Sequence, residues 1–137
     1  MLKKFKHTAL GINLNKRTKA IFIAMSKHLF YFRRHAVKFV LEQGHAPISQ
    51  FGIFDFFVTD TVNRDLVRRA NNNLIRISDE LWVFGPVSDG VLAEIKLVKK
   101  QNKPIKYFRI IKYKDIQRIS KKEVEFEEDL DKFSNEL

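Results

Sequence analysis

The segment 19–25, KAIFIAM, is an unbroken apolar run after its lysine and rich in β-formers, which predicts a buried strand. In HLFYFRRHAVKFVLEQG (28–44) the period changes. Leu29, Phe32, Ala36, Phe39 and Val40 recur at helical spacing, Arg33, Arg34 and Lys38 fall mostly elsewhere, and Gly44 is a stop signal, so a helix is expected. HAPIS (45–49) predicts a short extended segment, which Pro47 suits to a sheet edge. QFGIFDFFVTD (50–60) is aromatic without a clean period and receives no assignment. A second helix follows in 59–78. There Val62, Leu66, Ala70, Leu74 and Ile77 form a stripe, and Asp60 or Thr61 offers an N-cap. ELWVFG (80–85) is another strongly apolar strand. SDGVLAEIKLVKKQNK (88–103) is a third helix capped by Ser88, with Asn102 near its end and Pro104 just beyond. PIKYFRII predicts a closing strand and YKDIQRIS a short final helix. The acidic EVEFEEDLDKFSNEL (123–137) reads as a frayed helix or a disordered tail.

Strands alternating with helices of about 15 residues predict an α/β domain with a parallel sheet wrapped by helices. In open sheets of that kind ligands bind beyond the carboxyl ends of the strands. The loops AMSKH, SQFGIFDF and GPVSDG are therefore the places to look. Neither a repeat nor a linker divides the chain, so residues 20–120 read as one domain, between a basic arm (1–19) and an acidic tail (121–137).

A chain of 137 residues, 45% apolar with 13 Phe, is large enough for one hydrophobic core. It has no cysteine, which excludes disulfides, thiol chemistry and cysteine-ligated zinc. His7, His28, His35 and His45 show no metal-ligand spacing, so neither metal nor cofactor is expected. No apolar run approaches the roughly 20 residues of a membrane span, and the basic N-terminus lacks the apolar core of a secretory signal. A cytoplasmic protein without a membrane partner is the expectation. The net charge of +10 is uneven: from Glu123 onward seven acidic residues face Lys132 alone, so the first 122 residues carry +16. Such a field attracts anions, from nucleotides to nucleic acid to the chain's own tail, and composition does not choose among them.

Glu94 draws the chemistry together. With Ser88 as N-cap, the core face of the third helix is Val91, Ile95 and Val98, and Glu94 falls about 60–70° from the centre of that stripe. Gly90 lies one turn earlier on the same face, so a ligand at the helix N-terminus has room to reach the carboxylate. Ser88 Oγ and the free N–H groups of the first turn, Asp89 and Gly90 among them, would suit its anionic part. The plainer reading is ordinary capping chemistry followed by an ordinary helix-forming glutamate. Other residues have similarly plain roles. Trp82 reads as core, Asp79 and Glu80 as a cap or surface ion pair, and His28 as a helix-start histidine or a ligand contact. The cluster Phe51, Phe54, Phe56 and Phe57 fits a base pocket, the core or a subunit interface. Asn71, Asn72 and Asn73 are tolerable on a polar helix face and suggest no function.

The stretch RRHAVKFVLEQGHAPIS, then NRDLVRRANNNLIRISDELWVFGPVSDGVLAEIKLVKKQNKPIKYF, resembles the nucleoside 2-deoxyribosyltransferase-like superfamily over residues 20–110. Its small single-domain bacterial and phage branch is the nearest likeness. The most specific part is D-E-L-W-V-F-G followed by S-x-G-x-x-x-E. The resemblance implies a three-layer, flavodoxin-like (Rossmann-like) fold with helices on both faces. It implies Glu94 as a nucleophile on the anomeric carbon of a (deoxy)ribose, and Ser88 as a contact to sugar or 5′-phosphate, with Gly90 matching the motif's glycine. It also implies a homo-oligomer acting on a nucleoside or nucleotide. The first loop departs from the pattern. Phe22 stands where a strand tyrosine is usual, and IFIAMSKHLF lacks the Gly and Arg of the usual segment, leaving Ser26, Lys27 and His28 as substitute donors. For protonating the base, Asp55 and Asp60 are the candidates. Two functions follow as expectations: an N-glycosidase or deoxyribosyltransferase, or a non-catalytic module binding a nucleotide or ADP-ribose derivative. Nucleic-acid association through the basic face is a third.

Overall fold

The computed structural model describes residues 6–12, 16–112 and 114–137. Lys3 and Lys4 of the basic arm lie outside them. Five strands, β1 (Ala20–Met25), β2 (Ala46–Ser49), β3 (Glu80–Phe84), β4 (Ile105–Ile111) and β5 (Asp115–Ile119), form one sheet in the order β2-β1-β3-β4-β5. The first four are mutually parallel, and β5 returns antiparallel to β4. β1 and β3 are apolar throughout because both sheet faces are covered. Ile21, Ile23 and Met25 face α1 (Arg33–Glu42) with Trp82, Phe84 and Phe108. Phe22, Ala24, Leu81 and Val83 pack toward α4 (Arg64–Ile77) and α5 (Asp89–Lys100). The three-layer α/β architecture and the edge position of β2 with Pro47 are as the pattern predicts.

Three local expectations are corrected. YKDIQRIS is not a helix. Isoleucines three apart suit one helical face, but also the two faces of a strand, and a turn with Lys112 at φ 55° folds the segment back on β4. Ile116 then joins the α1 layer and Ile119 the other. The second helix begins at Arg64 with Asn63 as its cap, whose side chain accepts from Asp65 N at 2.9 Å; Asp60 and Thr61 belong to a separate short α3 (Phe56–Thr61), which follows the single turn α2 (Gln50–Ile53). Its inward face is Val67, Asn71, Leu74, Ile75 and Ser78, whereas Leu66 and Ile77 are more than half exposed. The more hydrophobic stripe is the wrong one, because Asn71 and Ser78 take inward positions.

The acidic segment is docked rather than loose. Val87 N donates to Glu125 O and Glu127 N to Val87 O, at 2.8 and 2.9 Å, which lays residues 125–127 beside the loop after β3. A 3₁₀ stretch, Leu130–Glu136, then packs on α5, with Leu137 buried in the core and Lys99 Nζ on the Glu136 carbonyl at 2.9 Å. At the opposite end of the sheet, Arg17 holds Asp79 at 3.0 Å and Lys19 holds Glu80 at 2.8 Å, so the end of the basic arm is fastened to the start of β3. Trp82 is core, and its indole donates to Glu80 at 2.9 Å.

Candidate functional site

The order β2-β1-β3-β4-β5 reverses direction between β1 and β3, where a crevice opens beyond the carboxyl ends of the strands. A cleft of about 1010 Å³ lies there and runs outward between α4 and α5. Its lining brings together the candidates of the first loop and the third helix: Ser26, Lys27 and His28 after β1, and Ser88, Asp89, Gly90 and Glu94 at the cap and first turns of α5. Phe51 joins them, edge-on to Phe30 at 5.7 Å, while Phe56 and Phe57 stand in solvent. Asp55 and Asp60 do not line the cleft; Asp55 caps α3 through Val58 N at 3.0 Å. Phe22 is wholly buried in the core and offers the cleft nothing.

Glu94 is 6% exposed. Its Oε2 accepts from Asn71 Nδ2 at 3.1 Å, and its Oε1 is buried without a partner among the described residues, as is Asn71 Oδ1. Burial pushes the Glu94 carboxyl up to about 8, and the Asn71 hydrogen bond, which pulls the other way, does not overcome it. At neutral pH the protonated form of this side chain is therefore favoured. Glu80 is the instructive contrast. It is as deeply buried, and burial alone would raise it, yet Lys19, Trp82 and Lys106 together hold its carboxyl below the usual range. One buried glutamate is matched by cations and structural; the other faces a cleft with one neutral partner. A buried carboxyl left in that state, facing a cleft, makes Glu94 the candidate working group of the site.

The space above it is open. A methyl group added at Gly90 would meet nothing nearer than Ser88 Oγ at 4.0 Å. Two amides of the first turn have partners within the chain. Gly90 N donates to Asp89 Oδ1 at 2.7 Å, and Val91 N to Ser88 Oγ at 3.3 Å. Ser26 is likewise buried and spent on capping, accepting from His28 N at 3.2 Å. His28 is mostly exposed and faces Glu127 at 4.0 Å. Among the described residues no cluster of three or more His, Asp or Glu side chains is arranged to hold a metal.

Asn71 is the residue that sequence reasoning missed. Three consecutive asparagines inside a helix are a costly choice, and Asn71 lies on the line Val67, Leu74, Ile75 and Ser78 that points inward; only the position of α5 reveals its partner. Replacing Asn71 by alanine removes the one side-chain hydrogen bond to the Glu94 carboxyl among the described residues and is expected to move that carboxyl further up, since the bond is what opposes burial. Carbon-detected NMR titration of the Glu94 carboxyl measures the shift; an unchanged midpoint would show that Asn71 does not tune it.

The fold and site define an α/β protein with an open, doubly wound sheet and, at its switch point, a buried carboxyl that has no cation paired to it among the described residues. The chain belongs to a family defined by a domain of unknown function, DUF7768, whose pattern matches residues 16–108. That span contains Ser26, Asn71, Ser88 and Glu94 and stops before β5 and the acidic segment. No curated protein matches the chain.

Proposed function

We propose that the protein acts on the N-glycosidic bond of a nucleoside or nucleotide, as a hydrolase or a glycosyl transferase, with Glu94 as nucleophile. The observation that carries this reading is the Glu94 carboxyl itself, buried, without a paired cation among the described residues and at the floor of the switch-point cleft. Once ionised, Glu94 bonds through one oxygen to C1′ while the C1′–N bond breaks and its electron pair leaves with the base. The departing nitrogen takes a proton, for which His28 beside Glu127 is the titratable pair at hand. Water, or a second base, then attacks C1′; the ester bond to Glu94 breaks and the carboxylate is restored. Asn71 is a positioning residue, since its Nδ2–H holds one carboxyl oxygen and leaves the other for C1′. The resemblance to the nucleoside 2-deoxyribosyltransferase-like superfamily supports the same assignment independently of the geometry.

A second reading, binding of a nucleotide or ADP-ribose derivative without turnover, is favoured by the neutral state of Glu94 at pH 7. Incubation with nucleosides, 5′-monophosphates and dinucleotides, followed by chromatography, separates the two: free base supports the enzyme, and ligand bound and recovered intact supports the binder.

Gly90 offers a test of where the ligand lies. Because a Cβ has room there, Gly90→Ala is expected to keep the thermal midpoint within about 5 °C of wild type. The same methyl intrudes on a sugar seated above Glu94 and is expected to weaken nucleotide binding about tenfold. Calorimetric titration beside a thermal scan checks both, and unaltered affinity would move the sugar elsewhere in the cleft.

A further inference from the structure

The cleft, at about 1010 Å³, is larger than a nucleoside needs, and its charges are unevenly spread. At the strand-end side lie Asp89, Glu127 and Glu128, together with Lys27 and with His28 against Glu127. Along the groove between α4 and α5 the lining turns basic, with Arg68 on one wall and Lys96 and Lys100 on the other. Among the described residues neither lysine has a carboxylate within ion-pair distance, and Arg68 has only Asp65, one turn earlier on its own helix, at 3.6 Å. Lys99, by contrast, is engaged by the carbonyls of Glu136 and Leu137. Lys96 is steadied over the Phe133 ring at 5.6 Å.

The usual anion site of such a fold, the N-terminus of the helix after β3, is partly occupied by the chain itself. Its Gly90 and Val91 amides donate to Asp89 and Ser88, and the Asp89 carboxylate opposes a second anion there. An anionic group on a ligand whose sugar rests at Glu94 therefore has the basic groove to go to. At a rise of about 1.5 Å per residue, Lys96 lies roughly 3 Å and Lys100 roughly 9 Å beyond Glu94 along the helix axis, both turned around the helix from it, so their long side chains reach the groove from its outer side. With Arg68 on the facing wall, three cations are at hand for the anionic groups of a ligand.

We propose, resting on the nucleotide reading above, that the cleft selects a nucleotide bearing a pyrophosphate, with the two phosphates held by Arg68, Lys96 and Lys100. The shared chemistry, two linked phosphates on a ribose, occurs both in nucleoside di- and triphosphates and in dinucleotides. Glu127 and Glu128 at the strand-end side disfavour a polyanion that continues past them, such as single-stranded nucleic acid.

The test is calorimetric titration of the full chain, as wild type and as Glu94→Gln, with adenosine, its monophosphate, its diphosphate, an adenine dinucleotide joined by pyrophosphate, and a short single-stranded oligonucleotide. The diphosphate and the dinucleotide are expected to bind at least about tenfold more tightly than the monophosphate, with the gain shrinking at high salt. A dinucleotide preferred over the diphosphate assigns the dinucleotide source, and the reverse assigns the free polyphosphate. In a Lys96→Ala/Lys100→Ala double variant, whose helix is checked by circular dichroism, the gain over the monophosphate is expected to vanish. Equal affinity for mono- and diphosphate, a gain that survives the double substitution, or tighter binding of the oligonucleotide would overturn the proposal. Chromatography of the same samples keeps the two ideas apart. Intact ligand with the predicted order of affinities removes the Glu94 chemistry and leaves the pyrophosphate site. Base release with no preference between mono- and diphosphate does the reverse.

Discussion

Substituting Glu94 by alanine or glutamine is expected to lower base release by on the order of 10³-fold or more, with nucleotide binding retained. The size follows from the role. A nucleophile cannot be replaced by a neighbour unless another carboxylate reaches the same carbon, and the other acids of the cleft, Asp89, Glu127 and Glu128, lie toward its strand-end wall or rim. Glutamine keeps the shape of the side chain and can still pair with Asn71, so a loss in Glu94→Gln reports chemistry and not collapse of the cleft. Chromatographic release of free base by wild type and both variants, with binding followed in parallel, gives the measurement. Undiminished release in either variant would remove Glu94 from the reaction.

The second large effect is on pH, and it acts on both rate and stability. If Glu94 attacks as a carboxylate, kcat/KM should climb with pH along a limb whose midpoint is near 8, since the protonated form is favoured at pH 7. A limb falling through the same value would make Glu94 the acid instead. Stability moves in the opposite direction. The folded chain keeps its proton up to about 8, whereas the carboxyl ordinarily loses it near 4.5, so between these values the folded state binds the extra proton. The contribution of the neutral carboxyl is complete below about 4.5, declines as pH rises through the window, and is gone above 8. The decline is at most about 1.4 kcal/mol per pH unit, a few kcal/mol in all. Glu94→Gln has no proton to lose. Urea titrations at pH 5, 7 and 9 should show wild type weakening relative to the variant by that amount, and parallel curves would contradict a neutral, buried Glu94.

Much of this was legible in the chain, for identifiable reasons. β1 and β3 are continuous apolar runs because both faces of the sheet are covered, and nothing else suits such runs at that length. Ser88, Gly90 and Glu94 were legible because a cap, a missing side chain and a carboxylate occupy successive turns of one helix. What the sequence concealed depends on contacts between elements. The α4 stripe is inward only where α5 accepts it, so Asn71 and Ser78 displace Leu66 and Ile77 from the buried face. The acidic segment offers no strong period, and its place beside Val87 is set by a backbone pairing that side-chain patterning does not report. The basic groove joins Arg68 to Lys96 and Lys100 across two helices, and its first member lies 28 positions before the nearest of the others.

The most direct test of Glu94 as nucleophile is to catch the sugar on it. The substrate from the panel that releases base is mixed with the protein, quenched in acid during turnover, digested, and the peptides weighed. A pentose-sized mass increment on the peptide carrying Glu94, absent from Glu94→Gln, is the predicted result. Base release accompanied by an adduct on a different residue would contradict it.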